Sequence, residues 1–213
     1  RNTRLMFELG DWEVFSYVVA GRMIYVIDNF YNDPDIVYDY CTKPLPEPWK
    51  HNPFMGYNMD KYEDRRLIED HDALVDIYDK LGHLCKQKAE SSTKFVTNVS
   101  TFHDRSYNNY EEFYWWPHTD LGYNGIVYLN DEDPHPGTNL FSAEDEQPLY
   151  PEWLCPWVRK ENHTLIHTTE ARYNRCVLFD GQLHHGMAVE DDRYFGKYRV
   201  NQVYFFQHEN VIQ

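Results

Sequence analysis

The residues with the most chemistry in this chain are His118 and Asp120, two apart in Trp115-Trp116-Pro117-His118-Thr119-Asp120. On an extended backbone side chains alternate, so this spacing projects an imidazole and a carboxylate to the same side. Together they offer one nitrogen and one oxygen to a divalent cation. A His-x-Asp triplet alone is explained as well by a histidine–carboxylate hydrogen bond. A third ligand is offered farther on, in Phe179-Asp180-Gly181-Gln182-Leu183-His184-His185-Gly186, where a strand ends in a turn carrying adjacent histidines. Two histidines and one carboxylate form the facial set that leaves open positions on non-haem Fe(II). Three protein ligands plus water also describe a catalytic zinc, so a metallohydrolase is the alternative enzyme. A binding module without activity is the other alternative.

A guanidinium completes the pattern. Arg199 opens the segment Arg199-Val200-Asn201-Gln202-Val203-Tyr204-Phe205-Phe206. Its planar fork suits a carboxylate held bidentately, and it keeps its charge at any ordinary pH. By alternation Asn201 shares its face and could add a donor. A divalent metal beside a fixed guanidinium calls for a dicarboxylate, one end on the metal and the other on Arg199.

These groups need a scaffold. Met23–Asp28 reads as a short buried strand. Asp33 before Pro34 makes an N-cap with proline at the first helical position, so a short helix runs to about Cys41. Lys43–Pro53 is proline-rich and reads as loop. Leu67, Leu74, Val75, Tyr78, Leu81 and Cys85 recur at helical spacing, which predicts an amphipathic helix over Leu67–Ala89. From Lys94 onward the pattern turns to strands, at Phe95–Phe102, Asn124–Asn130, Cys176–Phe179 and Arg199–Phe206. Helices first and strands after argue an α+β domain whose sheets curl into a sandwich or barrel. The irregular stretch Ser142–Asn162 reads equally as an aromatic surface loop and as a substrate-covering lid. Gly137 and Thr138 read as hairpin residues.

Composition sets the outer bounds. The 213 residues suit one domain, with 42% apolar and 26% charged residues, as in globular chains. Against 35 acidic side chains stand 20 Lys and Arg, a net charge of −15, which opposes binding to phosphate backbones and makes nucleic acid a poor partner. No stretch approaches the roughly 18 apolar residues a membrane span needs. Cys41, Cys85, Cys155 and Cys176 show no paired spacing, which fits reduced thiols in a cytoplasmic compartment.

The order His118-Thr119-Asp120, then Val127-Tyr128-Leu129-Asn130-Asp131, then Pro136-Gly137-Thr138, then Leu178-Phe179 leading to His185, then Arg199 resembles the Fe(II)/2-oxoglutarate-dependent dioxygenases. Within them it is most similar to the prolyl-4-hydroxylase-like branch. Met23–Tyr31 resembles the opening strand of that branch, so the likeness spans about Met23 to Phe206. The resemblance implies one domain over 1–213, mainly β. Its double-stranded β-helix (jelly-roll) core would span about 94–207, with N-terminal helical support at about 1–93.

Residue by residue, His118, Asp120 and His185 match the iron ligands, and counting from Phe179 selects His185 over His184. Arg199 matches the residue that pairs with the distal carboxylate of 2-oxoglutarate. Tyr128 matches a position whose hydroxyl binds that carboxylate, and Asn201 stands where the branch often has Ser or Thr. The interval from His185 to Arg199 is longer than usual, which makes Arg193 the alternative cation. Arg193 lies beside Glu190, Asp191 and Asp192, where a solvated ion pair is the simpler reading. The implied activity uses Fe(II), 2-oxoglutarate and O2, with ascorbate as a reductant. It would hydroxylate an unactivated C–H bond of a peptide residue or a small amino-acid-like molecule, releasing succinate and CO2. Asp120 favours hydroxylation over halogenation, because halogenating members lack that carboxylate.

Overall fold

Antiparallel β-structure dominates the described residues. In this computed structural model the described residues are 6–42, 63–69, 71–90, 96–102, 117–130, 134–143, 163–188 and 199–208. A hairpin of β1 (Glu13–Val19) and β2 (Arg22–Asp28) comes first. Its two-residue turn has positive φ at both Ala20 and Gly21, the type I′ geometry that matches the twist of paired strands. Helix α1 (Pro34–Thr42) follows, with Asp33 Oδ1 accepting the Ile36 amide at 3.3 Å as the N-cap expects.

Next come β3 (Glu63–Glu69), α2 (His71–Cys85), β4 (Lys88–Ala89) and β5 (Val96–Phe102). The later strands are β6 (Tyr123–Tyr128), β7 (His135–Ala143), β8 (His163–Ala171), β9 (Arg175–Asp180), β10 (His184–Met187) and β11 (Val200–Gln207). The large sheet runs β1-β2-β9-β6-β11-β5-β3, with β4 added to the end of β11; the small sheet runs β10-β7-β8.

Alternation along the strands makes three layers. Cys176 and Leu178 of β9, Val127 of β6, and Val200, Tyr204 and Phe206 of β11 turn to one face of the large sheet. There they meet Val37 and Cys41 of α1 and Leu74, Ile77, Tyr78 and Leu81 of α2. Each such buried aliphatic side chain contributes about 1.5–3 kcal/mol. The other face presents Ile24, Tyr128, Val177 and Phe179, which pack with Leu140 and Ala171 of the small sheet. The candidate chemistry sits in this inter-sheet layer.

Several expectations need correction. The helix predicted over Leu67–Ala89 is shorter. Leu67 lies in β3 opposite Asn98, and Ala89 lies in β4 opposite Phe206. Lys86, at φ 57°, ends α2 in a Schellman arrangement, with the Gln87 amide donating to Gly82 O at 3.2 Å. A short apolar run such as Leu67-Ile68 satisfies either period, and pairing with β5 decides for strand. The order "helices, then strands" also fails, since β1 to β4 precede residue 94. Gly137 and Thr138 lie inside β7, at a register shift against β8, and not in a hairpin turn. The strand expected over Asn124–Asn130 ends at Tyr128, and Arg199 precedes β11 by one residue. Lys43–Pro53, most of Ser142–Asn162, Trp115, Trp116 and Arg193 lie outside the described residues.

Candidate metal centre

His118 and His185 face each other across a single antiparallel bridge. The His118 amide donates to His185 O at 3.1 Å, and the His185 amide to His118 O at 3.0 Å. Directly opposed residues put their side chains on the same face, and the two ring centroids are 4.3 Å apart. Two residues on, the Asp120 amide donates to Gly181 O at 2.7 Å, which keeps the His-x-Asp backbone extended. Gly181 has no room for a side chain, because a Cβ there would lie 2.5 Å from Gly122 O and 3.0 Å from Asp120 Cβ. The β9–β10 turn is held in turn by Asp180, whose Oδ1 accepts the Gln182 amide and whose Oδ2 pairs with Arg22.

One ligand atom from each of His118, Asp120 and His185 lies within 4.8 Å of the others. His184 points the other way, with its ring 5.1 Å from that of His163. His185 Nδ1–H donates to Leu183 O at 2.7 Å, which leaves Nε2 with its lone pair outward. That lone pair stands 3.0 Å from Asp120 Oδ2, and His118 Nε2 is 3.8 Å from the same oxygen. Two lone pairs at such a distance repel unless a cation lies between them, a proton or a metal. Among the donor types, two imidazoles and one carboxylate fit Fe(II) well.

His185 is buried, whereas His118 and Asp120 keep 21% and 24% of their side chains exposed, so the cluster has one open side. Burial pushes the Asp120 pKa up, but where the imidazoles carry protons the His185 hydrogen bond, the two imidazole charges and the Asn124 amide outweigh it and hold the carboxyl below the usual carboxylate range.

Asn124 was not singled out by the sequence. It is buried and donates through Nδ2 to Asp120 Oδ2 at 2.5 Å, and among the described residues its Oδ1 has no hydrogen-bond partner. The signal was present in the period of β6: positions 124, 126 and 128 share one face, and Tyr128 was already a candidate.

A second polar group sits at the other end of β6. Arg199 is 3% exposed, donates through Nη2 to Gly137 O at 3.0 Å, and lies with Cζ 5.8 Å from the Tyr128 ring centroid. Among the described residues no carboxylate pairs with it. The Tyr128 hydroxyl meets Thr138 Oγ1 at 2.7 Å and Thr169 Oγ1 at 3.3 Å. Burial raises its pKa, against the lowering effect of Arg199, so the hydroxyl keeps its proton and can donate. Asn201 is buried directly across from Tyr128 on the same face.

Gly137 is fixed by this group, since a Cβ there would stand 2.6 Å from the Tyr128 hydroxyl. Asn130 Oδ1 accepts the Val200 amide at 2.7 Å and anchors the approach of Arg199. Across the small sheet His185 opposes Leu140, and Thr138 lies two residues along β7, roughly 7 Å away by strand rise. The imidazole end and the guanidinium end therefore lie on the same inter-sheet face.

The chain matches no family model, and a search of the curated proteins gives no match.

Proposed function

We propose that the protein is an Fe(II)- and 2-oxoglutarate-dependent dioxygenase that hydroxylates an unactivated C–H bond, on a jelly-roll core. One observation carries the reading: a buried guanidinium without a described carboxylate lies on the same inter-sheet face as a two-histidine, one-carboxylate donor set. A buried cation is costly unless paired, so Arg199 calls for an anionic ligand. The metal donors nearby call for a second anionic end. A small keto-diacid answers both demands, and the likeness of motif order to the prolyl-4-hydroxylase-like branch names 2-oxoglutarate.

In this reading His118 Nε2, His185 Nε2 and Asp120 Oδ2 hold the iron, and Leu183 O fixes the tautomer of His185. Asn124 orients the Asp120 carboxylate. Arg199 would hold the distal carboxylate of 2-oxoglutarate, and the Tyr128 hydroxyl would supply a further donor for it. Thr138 and Thr169 set the Tyr128 hydroxyl, and Asn201 adds an amide beside it. Bound iron would supply the redox chemistry with O2, coupling decarboxylation of 2-oxoglutarate to succinate and CO2 with hydroxylation of the substrate. Leu140 and Phe179 wall the space with apolar surface and exclude water from it.

The deciding experiment is uncoupled turnover. Purified protein with Fe(II), ascorbate and O2 is expected to convert 2-oxoglutarate slowly to succinate without added substrate, while His118→Ala/Asp120→Ala does not. Succinate no higher than in that double variant, with no metal bound, would overturn the assignment. An anaerobic titration separates a zinc hydrolase, because 2-oxoglutarate on Fe(II) gives a weak visible charge-transfer band and on Zn(II) gives none.

A further inference from the structure

Beside the metal centre, the large sheet carries a row of four residues on its inter-sheet face. Asn124 of β6 opposes Phe179 of β9 on one side and Phe205 of β11 on the other. Past Phe205 the row continues into Glu90, directly after β4. Phe206 opposes Ala89, and the Glu90 amide donates to Phe205 O at 2.9 Å. Opposed residues share a face, so Glu90, Phe205, Asn124 and Phe179 all turn to the layer that holds His185. Glu90 and Asn124 are two strand spacings apart, about 10 Å.

Glu90 and its apolar neighbours Val203 and Phe205 on that face are only half-buried, so each keeps some surface accessible. Among the described residues the Glu90 carboxylate has no Lys, Arg or His partner, and Asp120 is the charge that acts on it. It lies outside the group that can close on a metal with His118, Asp120 and His185.

We propose that Glu90 recognises an organic cation, an ammonium or guanidinium on an aliphatic stem, as part of the primary substrate, an assignment that rests on the dioxygenase reading above. The carboxylate supplies the counter-charge, and Val203 and Phe205 supply apolar surface for the stem. Burial, and after it the negative charge of Asp120, push the Glu90 pKa up to about 7. A cation set against the carboxyl would draw it into its charged form. The net charge of −15 adds a long-range field that concentrates cations and repels anions. The role differs from that of Arg199: one charge anchors the co-substrate and the opposite charge selects the substrate.

The test uses the full chain loaded with Mn(II) and 2-oxoglutarate, with n-butylammonium, n-butylguanidinium and the neutral 1-butanol as probes. Paramagnetic broadening of probe protons reads their approach to the metal without turnover. At equal concentration at least one of the two cations is expected to broaden some tenfold more than 1-butanol, and the stronger of the two names the headgroup. Glu90→Gln should abolish that preference, and Glu90→Asp, which keeps the charge, should retain part of it; circular dichroism checks that both variants fold. Equal broadening by 1-butanol, or a preference unchanged in Glu90→Gln, overturns the assignment while leaving the dioxygenase reading intact. A wild-type protein that takes up no Mn(II) sinks both.

Discussion

Arg199 shows how much rests on one side chain. Its guanidinium is buried against Gly137 O and the Tyr128 ring, so under the proposed reading it would meet a carboxylate through a charge-assisted contact away from bulk water. Arg199→Ala is expected to raise the 2-oxoglutarate concentration needed for turnover about 10- to 100-fold, the equivalent of roughly 1.5–3 kcal/mol. Fe(II) binding should stay nearly intact, because none of the three ligand side chains touches Arg199 among the described contacts. Titrating metal and co-substrate separately checks this, and equal behaviour to wild type would move the role to Arg193. At the same scale the glycines matter through what they exclude. Gly137 gives the Tyr128 hydroxyl its place and Gly181 gives Asp120 its own, and neither requirement can be seen from the residue's neighbours in sequence.

Elements differ in how openly the sequence announces them. Asp33-Pro34 predicts the start of α1, because a cap and a fixed φ are local properties. Strand β2 is equally legible, since Met23–Asp28 is uniformly β-prone. The hairpin ahead of it is not, because its type I′ turn is built on Ala20-Gly21 instead of the usual Asn-Gly. Ala20 holds φ 50° at a cost that asparagine bears better. Ala20→Asn should stabilise the protein by about 0.5–1 kcal/mol, a rise of roughly 1–4 °C in Tm for a chain of this size. Differential scanning calorimetry decides, and a fall in Tm would contradict the turn assignment. Strands β3 and β4 escaped notice for another reason: each is defined by its partner, β5 or β11, more than by its own pattern.

For the whole molecule, the candidate metal centre draws on distant parts of the chain. His118 and Asp120 precede β6, and His185 lies in β10 of the other sheet, so a bound ion would bridge the two layers. An ion that binds only the folded state stabilises it by mass action, about 2.7 kcal/mol at a hundred times Kd. Fe(II) or Mn(II) at that excess should raise Tm by roughly 5–10 °C. Chelator should reverse the shift, and His118→Ala/Asp120→Ala should lack it. No described helix is long and apolar enough to cross a membrane.

The sequence by itself determined the donor types, their order and their local spacing. Imidazole and carboxylate chemistry belongs to residues, and the two-residue period of an extended chain places His118 and Asp120 together. That Asn124 reaches Asp120, that Thr138 and Thr169 hold Tyr128, and that Glu90 joins the same row were decided only by tertiary structure, whereas the choice of His185 over His184 already followed from the motif count. Those relations depend on strand register between segments far apart in the chain, where a slip of one residue would turn every side chain to the opposite face.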